Sequence, residues 1–276
     1  MVVPELRWLL GPFVLLAVGS VAALFVNTRN TDDTFAWTIA PPFTAALLGA
    51  AYAGALILFV LVLREKIWAN ARIAVPAPFV LSTLTLIATL VHLDKFHLDA
   101  DLLPAAVAWI WLVVYCIVPP AMIVLAVRQL QAPGTDPPRT HPMPAWFRAV
   151  MIAYGAAGVI GGMFVFLSPT SVIPHWPWLL TPLTARALAA WFVALGVAAF
   201  QGAWEHDLRR VRAGLAAFAV IGGLGLIAVA RFSDDIRWAW AGWTVVGVLV
   251  LMLVAGGLGW QQSRTRAPCR GAPDPG

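Results

Sequence analysis

Eight stretches of this chain are apolar for long enough to cross a bilayer, and that feature constrains the fold more than any other. A spanning helix needs about 20 mostly apolar residues, with roughly 17 to 25 tolerated. The runs fall at about 9–26, 43–63, 75–91, 102–127, 149–167, 182–203, 213–230 and 238–260. Hydrocarbon offers no water to backbone N–H and C=O groups, so only helices and closed barrels cross it. Uninterrupted runs of this length suit helices, not alternating barrel strands. The expected fold class is all-α, a polytopic membrane bundle of eight transmembrane helices. Composition agrees, because 61% hydrophobic and 11% charged residues over 276 positions leave too little polar surface to clothe a soluble domain. The first run has no Ala-x-Ala cleavage site and seven comparable runs follow it, so it reads as a span and not as a signal peptide.

The runs also repeat. The segment from Phe35 to Gly49, FAWTIAPPFTAALLG, has an echo from Trp176 to Trp191, WPWLLTPLTARALAAW. Laying Pro42 on Pro182 brings Thr44 onto Thr184, Glu65 onto Glu205, Arg72 onto Arg212, Leu86-Ile87-Ala88 onto Leu226-Ile227-Ala228, and Asp94 onto Asp234. The expected organisation is two tandem four-helix repeats, 1–131 and 145–264, joined by a cytoplasmic linker at 132–144 and followed by a disordered cytoplasmic tail at 265–276. An even number of spans per repeat makes the copies parallel, related by an axis along the membrane normal.

Basic residues set the orientation. Arg64, Lys66 and Arg72 follow the second run, Arg128, Arg139 and Arg148 the fourth, Arg209, Arg210 and Arg212 the sixth, and Arg264, Arg266 and Arg270 the eighth. By the positive-inside rule these ends and both termini are cytoplasmic, while Asp32, Asp33, Asp94, Asp99, Asp101, Asp234 and Asp235 face outward. The net charge of +5 is accounted for by these clusters, so no nucleic-acid partner is expected. Tryptophan collects at helix ends, as expected where an apolar ring meets an interfacial N–H acceptor; Trp191 alone sits near mid-span. Cys116 and Cys269 offer neither a disulfide framework nor metal-ligand spacing.

Few residues within the spans carry chemistry. No Asp or Glu lies near the centre of any run, which counts against a proton-coupled transporter, and no Asp-rich motif suggests magnesium and diphosphate. Thr181-Pro182 suits a helix start, and Arg186 follows one turn in, where a guanidinium either snorkels or takes an anion. Pro78, Ser82, Thr85, Thr89 and His92 share one face of the third run, a face that serves helix packing or lines a polar path. His92, Asp94, His97, Asp99 and Asp101 with His175 have no diagnostic metal spacing, and an exposed polar loop is the plainer reading. Glu65 and Glu205 form a matched pair at cytoplasmic helix ends, read as salt-bridged anchors. Gly158-x-x-x-Gly162 predicts close helix approach, and Pro119-Pro120 predicts a kink.

FAWTIAPPFTAALLGAAYAG, HLDKFHL and PWLLTPLTARALAAW resemble segments of uncharacterised multi-pass membrane proteins of actinobacteria. That resemblance implies an eight-span protein of the plasma membrane and carries no activity, cofactor or binding residue. The leading functional expectation is a non-enzymatic protein that binds or passes a small or lipid-like ligand, an anionic amphiphile among them, with membrane lipids as its other partners. A membrane-embedded enzyme acting on a lipophilic substrate and a structural subunit of a membrane complex are the alternatives. The expected ligand-binding residues are Trp37, Ser82, Thr85, Thr89, His92, Arg186 and Trp191, enclosed by the outer halves of the second, third and sixth spans. No catalytic or metal residue is assigned.

Overall fold

The computed structural model describes residues 2–264. Among them are eight helices long and apolar enough to span a membrane, and no strand. We label these α1 (Pro4–Val21, continued by a π-helical turn at Ala22–Val26), α2 (Pro42–Leu63), α3 (Pro76–Val91), α4 (Leu102–Gln131), α5 (Ala145–Leu167), α6 (Pro182–Glu205), α7 (Arg212–Arg231) and α8 (Trp240–Gln262). Every apolar run coincides with one of them to within a few residues. Four of the helices begin at proline, whose fixed φ suits the first turn and whose missing N–H would have no partner there. At α6 the Thr181 hydroxyl accepts from the Thr184 N–H at 3.2 Å, the cap expected from Thr181-Pro182. The third span is completed by short helical turns at Trp68–Ala71 and Arg72–Ala74 that lead into α3. α4 continues as one helix through Pro119-Pro120. The tail at 265–276, with Arg266, Cys269 and Arg270, lies outside the described residues.

An even number of crossings puts the first and last helix ends on one side of the bundle, here called the terminal face. α2 packs on α1 and α7, α6 packs on α5 and α3, and the pairs α3–α4 and α7–α8 complete the bundle. α2, α3, α6 and α7 form the interior. Burial follows that arrangement, since 67% of the apolar stretch of α6 is buried against 17% of that of α1. Lipid tails are as apolar as leucine, so helix association depends on close packing and on hydrogen bonds. Gly158 and Gly162 supply such packing as expected: a Cβ on them would lie 2.8 Å from the Phe192 carbonyl oxygen and 3.0 Å from the Val193 nitrogen of α6. Gly222 and Gly256 do the same between α7 and α8, with Cβ positions 2.5 Å from the backbone nitrogens of Leu253 and Ala219.

The terminal face is held by charges. Glu205, 1% exposed, accepts from both Nε and NH2 of Arg72 and from NH1 of Arg210 at 3.3 Å. Asp136, from the segment between α4 and α5, reaches Arg72 at 2.7 Å and Arg210 at 3.6 Å. Asp207 is fully buried and accepts from the backbone N–H groups of Thr140, His141, Arg209 and Arg210 at 2.7 to 3.1 Å. That carboxylate ties the same connecting segment to the turn after α6.

Candidate functional site

The packing that closes α7 on α8 is missing from the first half of the chain. At the positions 140 residues before Gly222 and Gly256 stand Ser82 on α3 and Cys116 on α4. Gly158, Gly162 and Gly196, where α5 meets α6 backbone to backbone, have Val18, Ala22 and Leu56 at the same offset on α1 and α2. Glycine packing of that kind is absent at these positions, and a cavity of about 280 Å³ lies among α1, α2, α3, α4 and α6.

Aromatic side chains make much of its wall, with Phe35, Tyr52, Trp111, Tyr115 and Trp191 set among aliphatic groups such as Leu81 and Val114. Among the described residues no charged one lines it. Edge-to-face contacts, the arrangement favoured by ring quadrupoles, lock the box. Tyr52 meets Trp191 at 5.1 Å, Phe35 meets Trp111 at 5.4 Å, and Trp111 leans on Tyr115 at 4.5 Å between centroids. The hydroxyls of Tyr52 and Tyr115 are hydrogen-bonded to each other at 2.8 Å, which gives the cavity a polar point inside a largely apolar wall.

α1 and α4 flank this cavity without forming a packed pair. At the terminal face they are joined, because Arg128 pairs with Glu5 at 3.3 Å and the Gln129 side chain accepts from the Val3 N–H at 3.1 Å. Farther along, exposed Leu15 and Ile110 stand on either side of the gap. The cavity therefore opens sideways, toward the region that acyl chains occupy around a spanning helix.

The residues anticipated from sequence divide into three groups. Ser82 and Trp191 line the cavity, Ser82 donating its hydroxyl to the Phe79 carbonyl at 3.0 Å. Trp37, Thr85 and Thr89 stand one layer behind it. Thr89 accepts from the Trp111 indole N–H at 3.1 Å while donating to the Thr85 carbonyl at 2.8 Å, so this face of α3 fixes the Trp111 ring. Trp37 packs edge-on against Trp111 at 5.0 Å, and its own buried N–H has no partner among the described residues. His92 and Arg186 are brought together, but apart from the cavity wall. Arg186 donates from NH1 to His92 Nε2 at 2.6 Å and from Nε to the Phe166 carbonyl at 3.1 Å, linking the ends of α3, α5 and α6. Burial first, and the adjacent guanidinium second, hold His92 below the ordinary imidazole value, which leaves it neutral and able to accept. His97 serves a separate network, between the Phe35 carbonyl at 3.0 Å and the Thr38 hydroxyl at 3.1 Å. Among the described residues no three metal-ligating side chains converge.

Sequence reasoning missed Phe35, Tyr52, Trp111 and Tyr115 as site residues. At the offset of 140, Trp111 and Tyr115 correspond to Leu251 and Ala255, so rings that the second half lacks are the signal for these two. Comparison with known proteins finds no matching protein family, curated protein or solved structure, so the site is read from its own geometry.

Proposed function

We propose that the protein binds a lipid-like molecule, taking an apolar chain or ring system from the bilayer into the aromatic cavity through the gap between α1 and α4. The observation that carries this reading is a cavity of about 280 Å³ with an aromatic wall, a lateral opening and, among the described residues, no charged one in its lining. Its volume is close to the lower end of ligand pockets, about 300–1,000 Å³, so it suits part of a chain whose remainder lies between the helices. The paired Tyr52 and Tyr115 hydroxyls suit a single ketone, hydroxyl or ester oxygen on that ligand. Rings and hydroxyls without an acid–base pair favour binding over bond making.

The packing of the helices supports the repeat reading. α1 on α2 matches α5 on α6, α2 on α7 matches α6 on α3, and α3 on α4 matches α7 on α8. Short 3₁₀ turns at Leu93–Lys95 and Ser233–Asp235 keep the same offset. The arginines at the terminal face support a plasma-membrane protein with that face in the cytoplasm.

Native mass spectrometry of protein released from membranes tests the binding reading. Wild type retains a lipid-like molecule, and Ala55→Phe, which places a ring in the cavity, loses it while remaining folded. Equal retention by the two proteins would refute it.

A further inference from the structure

A second cavity, of about 430 Å³, lies at the terminal face near the ends of α2, α7 and α8. Its wall carries Arg64, Arg209, Arg212 and Arg264 against one carboxylate, Glu65. Arg212 pairs with Glu65 at 3.6 Å, and Asn70 donates its amide to the same carboxylate at 3.2 Å. The guanidiniums of Arg212 and Arg264 lie over the Trp260 ring at 5.3 and 5.4 Å. The side chains of Arg64 and Arg209 have no ion pair or hydrogen bond to any described residue.

The same arrangement occurs elsewhere in the chain, and there it is filled. At an offset of 140, Glu65 corresponds to Glu205, Arg212 to Arg72, and Asn70 to Arg210. Arg72 pairs with Glu205, and Arg210 donates to Glu205 at 3.3 Å, as Asn70 donates to Glu65. Onto these cations the segment between α4 and α5 lays the Asp136 carboxylate, 2.7 Å from Arg72 and 3.6 Å from Arg210, while the Pro137 carbonyl accepts from Arg210 at 2.5 Å. The protein thus supplies its own anion to one copy of a Glu–Arg site and leaves the other copy open with more cations around it.

We propose that the open copy binds a phosphate-bearing anion, held by Arg64, Arg209 and Arg264 beside the intact Glu65–Arg212 pair. A phosphate has enough charge and acceptor oxygens to occupy several guanidinium forks at once, which one carboxylate does not. The group has two sources, the headgroup of an anionic phospholipid and a free phosphate compound. Both Trp260 and the arginines sit at helix ends, where headgroups lie beside a spanning bundle.

The test uses the full-length chain in nanodiscs of phosphatidylcholine with and without phosphatidylglycerol, and in phosphatidylcholine alone with added inorganic pyrophosphate. Arg64→Gln, Arg209→Gln and Arg264→Gln are combined, leaving Glu65, Asn70 and Arg212 in place. Arg7→Gln, Arg29→Gln and Lys95→Gln, three exposed cations away from the cavity, form a control of equal charge loss. At about 1 kcal/mol per arginine near an anionic surface, the site variant binds roughly a hundredfold more weakly by native mass spectrometry, and the control keeps wild-type affinity. Retention of phosphatidylglycerol alone assigns the site to a lipid headgroup, and retention of pyrophosphate as well assigns it to the phosphate group from either source. Equal loss in both variants, or binding of neither anion by wild type, would overturn the proposal.

Discussion

Glu205→Gln removes one negative charge from a place where two guanidiniums have little access to water. The Glu205 side chain is 1% exposed, that of Arg210 8% and that of Arg72 16%. Removing one partner of a buried ion pair costs about 3–5 kcal/mol, because the remaining charge stays desolvated. Asp136, 39% exposed, still reaches both arginines, so the low end of that range, about 3 kcal/mol, is expected. The glutamine amide would also turn an N–H toward arginine donors. At the sequence-related position the pair Glu65–Arg212 is 22% and 38% exposed and 3.6 Å apart. There, glutamine costs about 0.2–1 kcal/mol. The two substitutions therefore differ by about 2 kcal/mol or more, roughly thirtyfold in the unfolding equilibrium. Reversible unfolding in mixed micelles, followed by tryptophan fluorescence, measures both. Equal costs at the two positions would refute the argument from burial.

Four further substitutions address packing and the opposite face. Gly222→Ala places a methyl 2.5 Å from the Leu253 nitrogen and 2.6 Å from the Leu249 oxygen, so α7 and α8 must separate, at a cost of about 1–3 kcal/mol. Gly223→Ala meets only a flexible leucine methyl at 3.7 Å and leaves the melting temperature of the micellar protein unchanged or raised. Arg186→Lys cannot hold both His92 and the Phe166 carbonyl with one ammonium, and unfolding measurements should show a loss of about 1.5 kcal/mol; a silent substitution would mean that the fork contributes nothing. His92 has its proton affinity depressed in the folded state, so below its ordinary value of 6.5 the unfolded chain takes up the proton first. Stability therefore falls on acidification through that value, and His92→Gln flattens this part of the melting-temperature profile between pH 7.5 and pH 5.

Much of the scaffold was legible because long apolar runs admit one solution in hydrocarbon, and because Thr181-Pro182 and Gly158-x-x-x-Gly162 act through nearby backbone. The site was less legible. Helices that are apolar on nearly every side do not announce which face is inside, so the sequence does not distinguish exposed Trp109 from Trp111, which is 8% exposed and central to the aromatic box. Arg72 and Glu205 meet across 133 positions, a distance at which local pattern is silent, although the repeat had matched Glu205 with Glu65 and Arg72 with Arg212. On the polar face of α3, Thr89 acts through Trp111, while Pro78 and Ser82 reach the cavity. Arg186 was weighed as a snorkelling or anion-binding group; its nearest hydrogen-bond partners are a histidine and a carbonyl.

Photo-crosslinking from within the bilayer tests the central claim most directly. A phospholipid with a diazirine midway along one acyl chain is reconstituted with the protein, irradiated, and the labelled residues are mapped by peptide mass spectrometry. If a chain enters between α1 and α4, label appears on buried wall residues such as Tyr115 and Trp191 in wild type and is lost from them in Ala55→Phe. Label confined to exposed positions such as Ile117, Ile123 and Leu130, the same in both proteins, would contradict a lipid-binding cavity.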